Sequence, residues 1–367
     1  MEVARRPLSA VVLAAGEGTR MRSNRPKPLH YLCGRPMVLH ILDSLAQLPI
    51  ERAVVVVGHG ADPVTKILEE HGPPDLTIDF VEQREQQGTG DATLVALTAF
   101  DDDLEEDDLL ILPGDTPLLR PETLAHVARE HRAVDAGATI LTARVPNPGS
   151  YGRVVRGKNG NVVRIVEAAD ASPEELGIDE INTGIYCFRR SILAPAIRRV
   201  TPDNSQGEYY LTDVIDVLAE AGYAVVGVEA DDVDETVGVN DRAQLAAAEA
   251  TMRRRINRRF LDAGVTMPDP AAVYLDASVE IGADTTLWPG TMLQGRCRVG
   301  SGCRIGPDVR LVDCVIGDDA TVEQTTARES EIGVGAWVGP YAVLGPGTRI
   351  AAGDRTGPFY TSSAGGD

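Results

Sequence analysis

The chain has 367 residues, 43% of them hydrophobic, so it is long enough to bury a sizeable core and to form two domains. Its formal net charge of −20 argues against nucleic acid or an anionic membrane as a general partner, because the long-range field would repel both. The apolar stretch near the start is too short for a signal peptide or a membrane span. The five cysteines contain no Cys-x-x-Cys pair and are typical of reduced thiols. We therefore expect a cytoplasmic protein.

Apolar strands and helical stretches alternate over residues 1–240. The predicted strands are 10–13, 53–57, 109–112 and 139–143, and the predicted helices are 37–48, 91–100 and 121–131. This alternation favours an α/β domain in which helices cover a mostly parallel sheet. We interpret it as one nucleotide-binding domain.

A glycine-rich loop with two cations follows the first strand. Gly16 and Gly18 allow the backbone to approach phosphate oxygens or a base edge, and Arg20 and Lys27 supply positive charge. The loop lacks the Gly-Lys-Ser/Thr ending of a P-loop, and Met21 stands where a dinucleotide-binding motif has its third glycine. An ordinary strand-to-helix turn with solvated basic residues is the alternative.

The longer pattern in this segment resembles the sugar-nucleotide pyrophosphorylases. From Arg25 to His40 it is similar to the family of bifunctional UDP-N-acetylglucosamine pyrophosphorylase/glucosamine-1-phosphate N-acetyltransferases, on Pro26-Lys27, Leu29-His30, Gly34, Pro36-Met37 and His40. The resemblance implies a Rossmann-like nucleotidyltransferase domain in which Arg20 and Lys27 are catalytic. The implied nucleotide-binding residues of the loop are Leu13, Ala14, Ala15, Gly16, Gly18 and Thr19.

A second glycine-containing loop covers residues 83–92. It resembles the base-reading loop of the family, in which the residue matching Gln83 contacts the pyrimidine and Gly88 and Thr89 bring the backbone close. A side-chain amide both donates and accepts, as a uracil edge requires. The alternative is a polar helix N-cap region.

The resemblance also implies a magnesium site. Gly114 and Asp115 follow the strand 109–112, and Asn240 ends a Gly-Val-Asn segment that matches the family's other metal ligand. Mg²⁺ keeps several waters and completes its shell with substrate phosphates, so one carboxylate and one amide suit it. Taken alone, the turn at Asp115 is more often structural. Gly152, Glu167 and Asn182 match the family's segments that hold the amino sugar.

Residues 241–263 predict one long helix that connects two domains. Beyond it, over residues 264–356, aliphatic residues recur every six positions, which predicts a parallel β-helix of hexapeptide repeats. The phase slips after Leu311 and again after Val322, and about four coils are expected. The resemblance implies a left-handed β-helix that forms a homotrimer. Residues 357–367 are predicted to be a disordered tail. The repeat positions are Ile281, Leu287, Leu293, Val299, Ile305, Leu311, Ile316, Val322, Ile332, Val338, Leu344 and Ile350.

The chain departs from the family where acetyl transfer is expected. The His-x-x-Tyr-x-Gly-Asp and Asn-Tyr-Asp-Gly segments are missing, all six histidines precede residue 132, and Gly345 replaces an arginine. We therefore expect no acetyltransferase activity. Pro113, Gln87 and Asp91 replace the usual tyrosine, leucine and histidine, which bears on substrate preference.

The sequence thus predicts a Mg²⁺-dependent nucleotidyltransferase that makes UDP-N-acetylglucosamine and pyrophosphate from UTP and N-acetylglucosamine-1-phosphate. A pyrophosphorylase for another sugar-1-phosphate or nucleotide, such as glucose-1-phosphate or dTTP, is one alternative. A β-helix scaffold that binds UDP-sugars without turnover is the other.

Overall fold

The apolar run predicted as the first strand forms an inner strand of a nine-stranded sheet. The computed structural model describes residues 6–16, 18–58, 62–100 and 107–362. They divide into two compact units, one made of residues up to His30 with Pro36–Leu245, the other of Tyr31–Arg35 with the chain from Ala246 onward.

The strands up to residue 229 are β1 (Leu8–Ala14), β2 (Tyr31–Leu32), β3 (Arg35–Pro36), β4 (Arg52–Gly58), β5 (Thr77–Gln83), β6 (Asp108–Pro113), β7 (Ala138–Arg144), β8 (Arg153–Arg156), β9 (Val162–Val166), β10 (Glu180–Arg189) and β11 (Val225–Glu229). The helices are α1 (Met37–Leu45), α2 (Asp62–His71), α3 (Thr89–Leu97), α4 (Pro121–Ala133), α5 (Pro173–Leu176), α6 (Arg190–Ile197), α7 (Asp213–Glu220) and α8 (Arg242–Asp262).

The main sheet has the order β11-β7-β10-β6-β1-β4-β5, and β8 and β9 extend it from β10. Strand β1 pairs in parallel with β4 and β6, and Val11 lies opposite both Val54 and Ile111. The predicted mostly parallel sheet is confirmed. The prediction missed β10, which runs antiparallel to β6 and β7 and has a register shift between Asn182 and Tyr186.

Both faces of this sheet are buried. Along β1, Val12 packs in one core cluster with residues of α1, α2 and α4, while Val11 packs in another with residues of α3, α6 and α7. A strand covered on both faces has no polar side to display, which explains its continuous apolar sequence. The sheet can therefore present functional groups only where its strands end.

The second unit contains a parallel β-helix of short strands. They are β12 (Tyr274–Leu275), β13 (Glu280–Ile281), β14 (Thr286–Leu287), β15 (Met292–Gln294), β16 (Arg298–Val299), β17 (Arg304–Ile305), β18 (Arg310–Val312), β19 (Val315–Ile316), β20 (Thr321–Val322), β21 (Thr326–Arg328), β22 (Glu331–Ile332), β23 (Trp337–Val338), β24 (Val343–Leu344) and β25 (Arg349–Ile350). They form three parallel sheets of five, five and four strands. The predicted β-helix is confirmed.

The predicted repeat positions, apart from the partly buried Ile281, are buried in one hydrophobic cluster. The structure adds Leu275 and Ala327 to that cluster. Ala327 explains the second slip in phase, because the buried position moves from Val322 to Ala327 and then to Ile332, five residues each time. Alanine is too common and too small to mark this position in the sequence.

The predicted disordered tail is corrected in its first part. Residues 357–362 continue the β-helix: the backbone N–H of Val343 donates to the carbonyl of Tyr360, and that of Ser362 donates to the carbonyl of Val343. The side chain of Tyr360 packs against the hydrophobic cluster. The segment contains two aromatic residues, Phe359 and Tyr360, and its main chain pairs with the coil before it. Residues 363–367 lie outside the described residues.

Candidate functional site

A cavity of about 380 Å³ lies in the first unit at the carboxyl edge of the sheet, where α/β folds commonly bind ligands. It brings together twelve of the residues that the sequence predicts for the site. They are Leu13, Ala14, Ala15, Gly16, Lys27, Gln83, Gly88, Thr89, Gly114, Asp115, Glu167 and Asn182.

The first glycine-rich loop is shaped by Gly18, whose φ angle is 63°. A Cβ atom at this position would lie 2.7 Å from Cβ of Lys27. Both the left-handed backbone and the contact therefore require glycine. The close packing of Gly18 on the stem of Lys27 fixes where that lysine leaves the backbone.

Lys27 lies among the groups predicted to bind metal. Its Nζ donates hydrogen bonds to the Asp115 carboxylate and to Oδ1 of Asn240, the latter at 2.8 Å. Arg20 donates from Nη2 to the same Asn240 oxygen at 2.9 Å. Two cations of the first loop and two oxygen ligands from two distant segments thus meet at one place.

Backbone hydrogen bonds hold Asp115 and Asn240 close together. The N–H of Gly114 donates to the carbonyl of Leu13 at 2.8 Å, which ties the turn after β6 to the end of β1. The N–H of Val239 donates to the carbonyl of Asp115, also at 2.8 Å. Asn240 follows directly, and its amide oxygen and the Asp115 carboxylate both accept from the ammonium of Lys27.

The second loop orients Gln83, which is buried at the end of β5. Its Nε2 donates to the carbonyl of Gly88 at 3.2 Å and to Oδ2 of Asp91 at 2.7 Å. Gly88 has a φ angle of 107°, and a Cβ atom there would lie 2.5 Å from the carbonyl oxygen of Tyr209. The loop is therefore packed tightly against the segment at residue 209.

Two of the residues predicted to hold the sugar, Glu167 and Asn182, line the cavity and are held by hydrogen bonds. Asn182 donates from its backbone to the carbonyl of Gly152 at 2.9 Å and from Nδ2 to the hydroxyl of Tyr186 at 2.7 Å. Glu167 accepts a hydrogen bond from Thr212 at 3.1 Å. Burial, aided by nearby carboxylates, raises the pKa of Glu167, although the Thr212 hydroxyl acts in the opposite direction.

Five predicted residues lie outside the cavity lining but next to it in the chain or through hydrogen bonds. Arg20 and Asn240 contact each other, and Gly152 bonds to Asn182. The remaining two, Gly18 and Thr19, belong to the first loop between Gly16 and Arg20. The structure therefore places twelve predicted residues in the cavity lining and the other five directly beside it.

Sequence reasoning missed several lining residues. Gln86 donates from Nε2 to the carbonyl of Ala15 at 2.6 Å and so links the two glycine-containing loops. Tyr186 and Thr212 line the cavity and hold Asn182 and Glu167. Gln86 belongs to the loop at residues 83–92, which the sequence singled out, whereas Tyr186 gave no signal, because a buried strand tyrosine usually serves packing.

The sequence of this chain is similar to known protein families and to individual proteins. Residues 10–263 match the model of the MobA-like NTP transferase domain, and residues 278–312 match that of the bacterial transferase hexapeptide (six repeats). The chain is 45% identical over 352 residues to the bifunctional protein GlmU of Geobacillus sp. (strain WCH70), covering 95% of this chain and 74% of that relative. The chain belongs to the bifunctional GlmU family.

Other GlmU proteins match over the same span. That of Exiguobacterium sp. (strain ATCC BAA-1283 / AT1b) is 45% identical over 350 residues, covering 95% of this chain and 76% of the relative. That of Streptomyces avermitilis is 44% identical over 355 residues, covering 96% and 73%. The chain thus spans about three quarters of the length of these GlmU relatives.

Family membership confirms the resemblance found in the sequence and makes this chain a nucleotidyltransferase. It also supports the predicted UDP-N-acetylglucosamine pyrophosphorylase activity, with a nucleotide and a sugar phosphate as substrates. NTP transferases of this kind generally act with a divalent metal ion. Among the helices of the described residues, none is long and apolar enough to cross a membrane.

Proposed function

We propose that this GlmU-family protein transfers UMP from UTP to N-acetylglucosamine-1-phosphate, giving UDP-N-acetylglucosamine and pyrophosphate. The observation that carries the proposal is that Arg20, Lys27, Asp115 and Asn240 meet at the cavity of about 380 Å³. A site that only bound a UDP-sugar would not need this cluster of cations and metal ligands.

The proposed reaction is an in-line displacement. An oxygen of the sugar-1-phosphate forms a bond to the α-phosphorus of UTP while the bond to pyrophosphate breaks, without a covalent enzyme intermediate. Catalysis then consists of aligning two anionic substrates and neutralising their charge. In this scheme Arg20 neutralises the triphosphate and the leaving group, and Lys27 holds the attacking or transferring phosphate.

The donor set fits a hard divalent cation, and we propose Mg²⁺. The Asp115 carboxylate and the Asn240 amide oxygen already surround one positive group, the ammonium of Lys27. Within the described residues, no group of three or more His, Cys, Asp or Glu side chains is placed to hold a metal. Two oxygen ligands suit Mg²⁺, which would lower the charge of the phosphates that complete its shell.

The substrate contacts are assigned by chemistry. Gln83, with the backbone of Gly88 and Thr89, would read the base edge, while Leu13, Ala14, Ala15 and Gly16 would approach the nucleotide. Glu167 and Asn182, supported by Gly152, would accept from and donate to sugar hydroxyls and the acetamido group. Their buried hydrogen bonds to Thr212 and Tyr186 support this role, because they fix both side chains before a ligand arrives.

We further propose that the β-helix carries no acetyl transfer and that it assembles as a homotrimer. Residues 264–362 contain no histidine, so this segment offers no imidazole as general base. The hexapeptide match supports assembly through this segment. Sedimentation of the purified protein would test the trimer, and glucosamine-1-phosphate with acetyl-CoA would test the transferase reaction.

The decisive experiment measures pyrophosphate release from UTP, and separately from dTTP, in the presence of Mg²⁺ across a panel of sugar-1-phosphates. We expect strong release with N-acetylglucosamine-1-phosphate and little with the others. Release with glucose-1-phosphate or with dTTP instead would replace the substrate assignment. Binding of UDP-N-acetylglucosamine without any turnover would favour the scaffold.

A further inference from the structure

The hydrogen bonds of Gln83 decide which of its two polar atoms is left for a ligand. A primary amide has two N–H hydrogens on nitrogen and a carbonyl oxygen that only accepts. Here Nε2 donates to the carbonyl of Gly88 and to the carboxylate of Asp91, and both partners are acceptors. Both amide hydrogens are therefore used, and Oε1 is the atom that remains for the cavity that Gln83 lines.

The carboxylate of Asp91 favours one of the two possible orientations of the Gln83 amide. A glutamine amide turned by 180° exchanges oxygen and nitrogen with little change in shape, so its neighbours decide the orientation. The reversed amide would place Oε1 against both the Asp91 carboxylate and the Gly88 carbonyl, with no hydrogen between the oxygens. Asp91 lies in the first turn of α3, where the helix N-terminus favours a negative charge.

Asp91 itself does not line the cavity, so its influence on a ligand passes through Gln83. The distance of 2.7 Å between Nε2 and Oδ2 is that of a strong, charge-assisted hydrogen bond. Gln83 is only 4% exposed, so water cannot readily replace a lost partner. The orientation is therefore set before the nucleotide enters.

We propose that Asp91 is a positioning residue that holds Oε1 of Gln83 towards the base and so selects pyrimidines with an N3–H group. Uracil and thymine carry a donor at N3, whereas cytosine carries a lone pair there. An oxygen held in place pairs with the donor and repels the lone pair. This inference rests on the proposed function, in which Gln83 contacts the base.

The test compares UTP, dTTP and CTP as substrates for the wild type and for Asp91→Asn. The asparagine is nearly the same size, but it can donate as well as accept, so the Gln83 amide is no longer held in one orientation. We expect the ratio of kcat/KM for UTP over CTP to fall by about tenfold, mainly through KM for UTP. The ratio of UTP to dTTP should stay within twofold, because both bases carry N3–H.

Asp62→Asn is the matched control, since Asp62 is an exposed aspartate in the first turn of α2. It removes the same charge from a helix start and should leave both ratios unchanged. Asp91→Ala is a second variant, with no side chain that could pair with Gln83 in either orientation. We expect it to lower the UTP over CTP ratio in the same direction.

An unchanged UTP over CTP ratio in both Asp91 variants would overturn the proposal. An equal loss for all three nucleotides together with a lower Tm would also overturn it, because that is the result of a structural role. If the wild type turned over none of the nucleotides, the proposed function would fail by itself. Calorimetric binding of UDP and CDP would then test the orientation of Gln83 separately, with the same expected change in ratio.

Discussion

Lys27 and Asp115 form an ion pair inside the proposed catalytic cluster, and their positions in the chain are 88 residues apart. Only 13% of the lysine side chain and 21% of the aspartate side chain are exposed. Because Lys27 also bonds to Asn240, its ammonium lies where the two oxygens would meet a metal ion. A metal bound there must therefore compete with this ammonium or displace it towards a phosphate.

Lys27→Met should consequently bind metal more tightly when no nucleotide is present. Removing the competing charge leaves Asp115 and Asn240 to the metal, and we expect the Kd for Mn²⁺, measured by electron paramagnetic resonance, to fall by about tenfold. Turnover of UTP should fall by roughly 100-fold or more, because a phosphate contact is lost. Lys66→Met, at an exposed lysine of α2, should change neither quantity. A variant with unaltered Mn²⁺ affinity and unaltered turnover would contradict both roles.

Arg20→Ala should slow catalysis without weakening the fold. Arg20 is exposed, and it donates a hydrogen bond to Asn240 of the catalytic cluster. We expect kcat to fall by about 100-fold while Tm stays within one or two degrees, because an exposed arginine contributes little to stability. Arg258→Ala, another exposed arginine, is the control. Unchanged turnover in Arg20→Ala would remove this residue from the mechanism.

Much of the fold could be predicted because its strands and its β-helix each have a regular hydrophobic pattern. Strand β4 has four consecutive valines with both faces covered, and the β-helix places an aliphatic residue at nearly every sixth position. The rest depended on weaker signals. Ala327 is too small to mark a core position, and the antiparallel direction of β10 follows from its neighbours in the sheet and not from its own residues.

The residues of the site could be predicted from the sequence, but the contacts between them could not. Short motifs identify Lys27, Gln83 and Asp115 because ligand chemistry restricts which residue types serve. No local pattern indicates that Lys27 pairs with Asp115, since that contact depends on how distant segments meet at the sheet edge. The contact of Gln83 with Asp91 was missed for another reason: Asp91 departs from the family's usual histidine, so the resemblance offered no role for it.

Gly18→Ala should strain the first loop whether or not a nucleotide is bound. The new Cβ would meet Cβ of Lys27 at 2.7 Å on a backbone with a φ angle of 63°, which costs about 1 kcal/mol or more. We expect a lower Tm and reduced turnover. Gly16→Ala is the control, because no heavy atom lies within 4 Å of the Cβ that it adds. That variant should keep the wild-type Tm, so equal losses of Tm in the two proteins would contradict the packing argument.

Leu311→Ala should test the β-helix core. Leu311 is fully buried between the neighbouring rungs of β15 and β21, so its truncation leaves a cavity and should cost about 2–5 kcal/mol of unfolding free energy. Val315→Ala removes an aliphatic side chain that is 48% exposed and should cost less than about 1 kcal/mol. Denaturant unfolding of both variants gives the comparison. Similar costs would mean that the repeat positions do not carry the stability of this unit.

Asp108 should make the stability of the first unit sensitive to acid. Its side chain is completely buried, which by itself would raise its pKa, but hydrogen bonds and charge from His131, Arg132 and Arg6 outweigh burial and lower the pKa to about 2. Both arginines donate to it from Nε at 2.7 Å. An unfolded aspartate titrates near pH 4, so the folded state is stabilised above that pH.

This contribution should be lost as the pH falls from about 4 towards 2, and its full size is about 2–3 kcal/mol. Asp108→Asn lacks the titrating group, so its unfolding free energy should decline less steeply between pH 4.5 and 3 than that of the wild type. At pH 7 the variant should be less stable by about 3 kcal/mol or more, because two arginines lose a buried carboxylate. Urea unfolding at several pH values provides both numbers. Asp135→Asn removes an exposed partner of Arg6 and serves as the comparison: hydrogen bonds from Arg6 and Arg189 lower the pKa of Asp135 as well, but solvent screens an exposed pair, so the acid slope should change far less. If the curves of wild type and Asp108→Asn ran parallel between pH 4.5 and 3, Asp108 would not be the group that links stability to pH.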